Sequence, residues 1–195
     1  MKKIAQALLL CFCSATFLAQ TPEIVLSKDL KITTSCRIKP GAYLLPADSL
    51  TATPVCTITG ENITVDFQNA ELRGADDATM PDRFYGYAIR ISGKNITLKN
   101  ARIRGYKIAV YAEDVENLLL ENCDLSYNYR PRLLSTRERE DESDWLSYHH
   151  NDADEWLRYG AGIYLKNCPG ATVRGCRITG NQNALLMTGC NDGLV

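Results

Sequence analysis

The sequence predicts an all-β solenoid, and three observations carry that reading. Residues 62–72, 95–103, 117–125 and 170–178 repeat one pattern, the first with two extra residues, and a fifth copy begins at Gly193-Leu194-Val195. Within each copy apolar residues alternate with polar ones, the period of a strand with one buried face. Where no insertion intervenes the spacing is 22 or 23 residues, as between Asn95 and Asn117, Cys168 and Cys190, or Gly170 and Gly193. About three short strands and three turns in ~22 residues make one coil, which buries its apolar face only by stacking on its neighbours.

The chain opens on an address. Met1-Lys2-Lys3 is a positive stretch, residues 4–12 are apolar apart from Gln6, and small residues follow at Ser14, Ala15 and Ala19. Residues 1–20 are therefore expected to be a secretory signal peptide, with residues 21–195 the mature domain. Cleavage fits either the Cys13-Ser14-Ala15 triplet or the region of Ala19 and Gln20, and Leu10 and Phe12 are poor residues to precede a lipidated cysteine. No later stretch approaches the ~18 apolar residues of a membrane span, so no integral span is expected. The protein is expected to be secreted, periplasmic or displayed at the cell surface.

Composition narrows the class. Of 195 residues, 45% are hydrophobic and 23% charged, values of a globular chain rather than a disordered one. With 22 basic and 23 acidic residues there is no cationic excess to neutralise phosphates, which argues against a nucleic-acid partner. Without Lys2 and Lys3, 20 basic residues face 23 acidic ones, a net charge of -3.

Along the mature chain, residues 22–35 are expected to form an opening cap and first strand. Asn69, Asn100, Asn122 and Gly175 share one aligned position, and Asn167 and Gly189 another. Asn and Gly interchange where the backbone must be left-handed, so both positions read as corners. A Gly or Ser turns the chain after each copy, at Gly74, Gly105, Ser126 and Gly180, and a further strand follows at residues 88–91, 108–112, 162–165 and 184–187. Ile96, Leu98, Leu118, Leu120 and Val173 should point inward in stacked rows. Val195 falls inside a strand with no polar coil after it, so the chain reads as the first coils of a longer solenoid.

The coil Asn-Ile-Thr-Leu-Lys-Asn-Ala-Arg-Ile at residues 95–103 and the aligned Asn corner resemble the right-handed parallel β-helix proteins of the pectate-lyase-like and NosD-like superfamily. The resemblance covers roughly residues 33–195 and implies a right-handed parallel β-helix. It leaves the chemistry open, since that superfamily hosts lyases, hydrolases, epimerases, adhesins and metal-site accessory proteins. The Leu-x-x-Leu-x-Leu spacing of leucine-rich repeats is absent. The calcium-binding Asp clusters and Lys/Arg bases of pectate lyases find no counterpart here, nor do the Asp groups of polygalacturonases. Asp76, Asp77, Asp82 and Arg83 are the nearest material.

Six cysteines follow the signal segment. Cys36 and Cys56 begin similar Cys-x-Ile triplets twenty residues apart, Cys168 and Cys190 share one corner, and Cys123 and Cys176 share another. In-register stacking brings Cα atoms to ~4.8 Å, within the ~4.4–6.8 Å of a disulfide, so disulfides and stacked thiols both fit, with Cys36–Cys56 the first choice of bridge. No Cys-x-x-Cys occurs, so no metal site is expected, and no cofactor is assigned.

Two insertions interrupt the rhythm, at residues 75–87 and 127–160. Both leave the same aligned turn two coils apart, which puts their roots ~10 Å apart on one side of the solenoid. Long loops of this kind carry function or cover a surface. Ser135-x-x-Glu138 is a capping box and Asp152-x-x-Glu155 imitates one, predicting helices over residues 136–148 and 153–159. The repeated pairs Trp145-Leu146 and Trp156-Leu157 would glue these helices to the wall or offer a sugar-stacking platform. Between them lie His149 and His150, the only histidines in the chain, with Asp152, Asp154 and Glu155 beside them. A histidine near carboxylates suits acid/base work around neutral pH, and the alternative is a helix-linking loop. Arg130, Arg132, Arg137 and Arg139 could hold uronate carboxylates or pair with Glu138, Glu140, Asp141 and Glu142.

The expected site therefore has His149 and His150 as proton-transfer groups, and Asp82, Arg83, Asp152, Asp154, Glu155, Trp145 and Trp156 as substrate contacts. The functional expectation is a monomeric, exported, carbohydrate-active protein, a lyase or hydrolase of uronate-containing polysaccharide. The alternative is a non-catalytic scaffold, either a NosD-like accessory protein or an adhesin.

Overall fold

The computed structural model describes residues 21–48, 53–144 and 160–195. Strands β1 (Glu23–Ile24), β2 (Leu30–Ile32), β3 (Cys36–Ile38) and β4 (Ala42–Leu44) open the chain. The next coils carry β5 (Cys56–Asp66) with β6 (Glu71–Arg73), then β7 (Tyr87–Lys99) with β8 (Arg102–Arg104). They are followed by β9 (Ile108–Glu116) with β10 (Leu119–Glu121), β11 (Ala161–Lys166) with β12 (Thr172–Arg174), and β13 (Leu185–Thr188). The ladders between successive coils are parallel, as a solenoid requires.

Each coil has three faces. The longest strands span two of them by bending midway: the first half of β5 pairs with β2, the second half with β3. Gly60 and Gly93 face each other across that bend at φ 137° and 123°. A Cβ on Gly93 would stand 2.0 Å from the Gly60 carbonyl oxygen, so only glycine lets the coils close there. The third face is the ladder β4-β6-β8, continued by the bridges of Asp124 to Arg102 and to Arg177.

The interior is filled by rows that run along the stack. Val65, Leu98, Leu120 and Val173 are successive register partners, as are Ile63 with Ile96 and Leu72 with Ile103. The predicted inward residues Ile96, Leu98, Leu118, Leu120 and Val173 are all buried. The corners behave as the Asn/Gly interchange requires: Asn69, Asn100, Asn122 and Gly175 have φ of 63°, 56°, 53° and 61°. A second corner is tied by a side-chain ladder in which Asn117 donates to Asn95 and Asn95 to Asn62, each at 2.9 Å.

Two expectations need correction. Cys36 pairs with Val65, whereas Cys56 pairs with Leu30 and Ile89, so the two thiols belong to different faces of the coil. Their matching triplets reflect strand alternation, which every face shares. All six described cysteines, Cys36, Cys56, Cys123, Cys168, Cys176 and Cys190, are free thiols. Cys123 and Cys176 occupy the position that Ala70 and Ala101 hold in earlier coils, that of a small apolar filler. Burial pushes the Cys56 thiol up to about 12 and Cys168 up to about 11.

The other correction concerns the helix expected over residues 136–148. Over residues 136–144, the described part of this range, the only helical element is a single 3-10 turn, Glu142–Asp144. Ser135 Oγ accepts the Asp141 amide at 2.8 Å, and Thr136 Oγ1 accepts those of Glu138 and Arg139 at 3.3 and 3.2 Å. The Asp144 carboxylate draws in the Leu134 and Ser135 amides at 2.7 and 2.6 Å. These side chains give the backbone partners outside a helix, so the capping residues close a compact loop instead. Residues 145–159, including the second expected helix, lie outside the described residues.

Candidate functional site

Both insertions spring from one corner of the third face. The Gly74 amide donates to the Arg104 carbonyl at 2.9 Å, Gly105 to Tyr127 at 3.1 Å, and Tyr127 to Thr179 at 2.8 Å. The corner of the third copy is thus Tyr127, one residue beyond the Ser126 assigned from sequence. Ser126 is buried, and its hydroxyl accepts the Thr179 amide at 3.0 Å.

Behind this corner Asn128 is fully buried and fixes where the second insertion departs. Its Oδ1 accepts the Tyr106 amide at 3.2 Å, and its Nδ2 donates to the carbonyls of Leu125 and Ile103 at 2.9 and 3.2 Å. Its own amide donates to Asn181 Oδ1 at 2.6 Å.

The first insertion is held by Asp76, whose carboxylate accepts the amide and hydroxyl of Thr79 at 2.9 and 2.5 Å. A 3-10 turn over Pro81–Arg83 follows. The second insertion crosses it, with the Arg130 amide donating to the Pro81 carbonyl at 3.4 Å.

Where they cross, an open cleft of about 330 Å³ is lined by Arg73, Arg104, Arg130, Asp76, Asp77 and Tyr127, among others. Arg73 and Arg104 are register partners on adjacent coils. Arg73 pairs with Asp77, and Arg104 Nε lies 2.6 Å from Glu71 Oε1 without the alignment of a hydrogen bond. The Nε atoms of both arginines are buried and lack a hydrogen-bond partner. A second cleft, of about 300 Å³, shares Met80, Pro81 and Arg130 with the first and adds Asp82 and Arg132. A third, of about 170 Å³, lies on the third face between Arg102, Arg104, Asp124, Tyr127 and Arg177.

Asp82 therefore stands beside Arg130, with one carboxylate oxygen buried and unpartnered. Arg83 faces the opposite side of the insertion, in a hollow with Leu44, Pro46 and Ala47. Neighbours in a 3-10 turn project about 120° apart, so adjacent residues in sequence are split between two surfaces. Trp145, His149, His150, Asp152, Asp154, Glu155 and Trp156 lie outside the described residues. Sequence reasoning missed Arg73, Arg104 and Tyr127. The two arginines flank Leu72 and Ile103 at outward strand positions, a signal that alternation carries, but nothing local says that an insertion arches over them. Among the described residues no group of three or more His, Cys, Asp or Glu is placed to hold a metal ion, and no helix is long and apolar enough to cross a membrane.

Several carboxylates are held below their ordinary range. The Thr79 hydroxyl does this for Asp76, the Ser135 hydroxyl for Asp144 and the Lys166 ammonium for Glu113. For Asp66 burial pushes upward, and the Asn100 amide, the Gln68 N–H and Lys99 together outweigh it. A lowered folded-state pKa stabilises the fold fully above the unfolded value and loses that contribution as pH falls through the folded one. The melting temperature is thus expected to hold level above about pH 5 and to fall below about pH 4. A scan of melting temperature against pH checks this, and a level profile down to pH 3 would contradict it.

The model of the right-handed β-helix region matches residues 38–194 of the chain. No curated protein and no solved structure matches it. The match spans the parallel coils, the left-handed Asn corners and both insertion roots, and the chain belongs to the right-handed β-helix family.

Proposed function

We propose that this is an exported, carbohydrate-active β-helix protein that takes a uronate-containing polysaccharide into the cleft between its two insertions, as a lyase or hydrolase. One observation carries the reading: Arg73 and Arg104 line the cleft from adjacent coils, each paired with one carboxylate, Asp77 and Glu71, and each guanidinium having further N–H donors. A carboxylate on the ligand would take up such donors through charge-assisted bonds. Arg130 reaches the same cleft from the second insertion, so the cations converge from three segments of the chain. Export rests on residues 1–20 as a signal peptide, and the protein acts outside the cytoplasm as a monomer. Proton transfer falls to His149 and His150, with Asp152, Asp154 and Glu155 beside them and Trp145 and Trp156 as sugar contacts.

Calorimetric titration with hexagalacturonate and with neutral maltohexaose tests the reading. The acidic oligosaccharide should bind, more weakly as salt is added, and the neutral one should not. Arg104→Gln should weaken binding about tenfold, a change of about 1.4 kcal/mol. Unsaturated product followed by ultraviolet absorbance would mark a lyase, and new reducing ends without it a hydrolase. Turnover should then be lost in His149→Ala or His150→Ala with the melting temperature unchanged. Equal affinity for both oligosaccharides, or none for the acidic one, sinks the proposal.

A further inference from the structure

We infer that Tyr127 is the sugar-stacking residue of this protein, and that the bound glycan crosses its ring from the cleft between the insertions onto the third face of the solenoid. The inference rests on the acidic-polysaccharide reading above and adds the residue and the path.

It starts from the backbone. Tyr127 has φ 58°, and the other described non-glycine residues with positive φ are all Asn, Asp or Gln. Those short or amide side chains tolerate the left-handed region, whereas a bulky aromatic enters it at a cost. The aligned positions in the adjacent coils are Gly105 and Gly180, at φ 81° and 69°, glycines that hold this left-handed corner without strain. An aromatic kept where glycine is easier suggests that the ring serves something other than the fold.

The ring's surroundings supply that use. Tyr127 is 56% exposed although it sits at the root of a long insertion. It rests against Gly180, where an added Cβ would come within 2.7 Å of the ring, so the absent side chain makes room for it. Tyr127 and Arg104 both line the cleft between the insertions and the shallower one on the third face, joining the two at this corner. Arg130 shares the first cleft with the ring, as do Asp76 and Asp77, and Arg177 shares the second, as do Glu71 and Asp124, so in each cleft three arginines outnumber two acids. A pyranose offers an apolar C–H face to an aromatic ring, while its carboxylate projects from the edge to a guanidinium. An exposed ring in clefts where arginines predominate fits an acidic sugar in both respects, and a path over two joined clefts fits a chain of sugars rather than a single one.

The test uses the full mature chain titrated with hexagalacturonate, alongside melting temperatures of each variant. Tyr127→Phe should bind like wild type, because the ring face is kept. Tyr127→Gly and Tyr127→Asn should bind about tenfold more weakly. Both should melt at or above the wild-type temperature, since Gly and Asn suit a left-handed corner better. Wild type and Tyr127→Gly binding equally well would overturn the stacking role and leave the acidic-glycan reading standing. No binding by wild type would overturn both. Affinity and melting temperature falling together in the Gly and Asn variants would make Tyr127 a structural prop and overturn the inference.

Discussion

Leu120→Asp is expected to unfold the domain. Leu120 is fully buried between its register partners Leu98 and Val173, which are themselves apolar and buried. Deleting a buried leucine side chain costs about 2–5 kcal/mol through lost transfer energy and the cavity left behind. The carboxylate adds a desolvation cost with no cation or donor in the row to offset it. Domains of this size are stable by only about 5–15 kcal/mol, so the combined loss takes most or all of it. In a solenoid the damage should spread, because each coil is stable only against its neighbours. Loss of the cooperative melting transition in circular dichroism, with recovery of the protein in inclusion bodies, is the expected result. Leu120→Ile, which conserves volume, should remain folded at a cost below about 1.5 kcal/mol. A cooperative, wild-type-like melt for Leu120→Asp would mean that this row does not face the interior.

The two substitutions at position 120 probe the part of the fold that was most legible in the sequence. Inward rows and Asn corners are imposed by local needs, an apolar face every second residue and a left-handed φ at a fixed interval, and both leave marks in the residues themselves. The errors have the opposite origin. Cys36 and Cys56 looked aligned because alternation is the same on every face, and the bend at Gly60 that separates those faces lies inside a continuous strand. Ser135 and Glu138 looked like a helix start because a capping box records only which donors are satisfied. Here the Asp141 amide and the Asp144 carboxylate complete the set without a helix. Tyr127 was passed over because its residue type argues against the conformation it adopts. Arg73 and Arg104 were passed over because an outward arginine on a strand is ordinary until something covers it. The convergence of the two insertions followed from register. The placing of Arg130 and Asp82 on one cleft, and the separation of Asp82 from Arg83, did not, since both depend on how the Pro81–Arg83 turn points its side chains.

Asn128→Ala is expected to cost about 2–4 kcal/mol and to weaken ligand binding with it. The substitution removes the acceptor for the Tyr106 amide and the donor to the Leu125 and Ile103 carbonyls, at a position with no exposure. The Leu125 carbonyl keeps a second donor, Asn181 Nδ2 at 2.9 Å, so its loss is partial. The Tyr106 amide loses the side-chain acceptor that Asn128 provides. Asn128→Asp should be at least as damaging at neutral pH, because a carboxylate can accept from Tyr106 but cannot donate to the carbonyls, and it buries a charge. Urea unfolding should show a lower midpoint with an unchanged m-value, the mark of lost stability in an otherwise intact two-state transition. A loss under about 0.5 kcal/mol, within the range of an ordinary surface change, would show that the corner relaxes freely without this amide. The functional consequence follows from position: Asn128 lies between Tyr127 and the insertion segment that carries Arg130, and both of those residues line the cleft. Once the amide no longer ties this segment to Leu125, Ile103 and Tyr106, the ring and the guanidinium lose their fixed relation to Arg104. A site that depends on three separately anchored segments should therefore lose affinity for hexagalacturonate even in the fraction of molecules that remains folded.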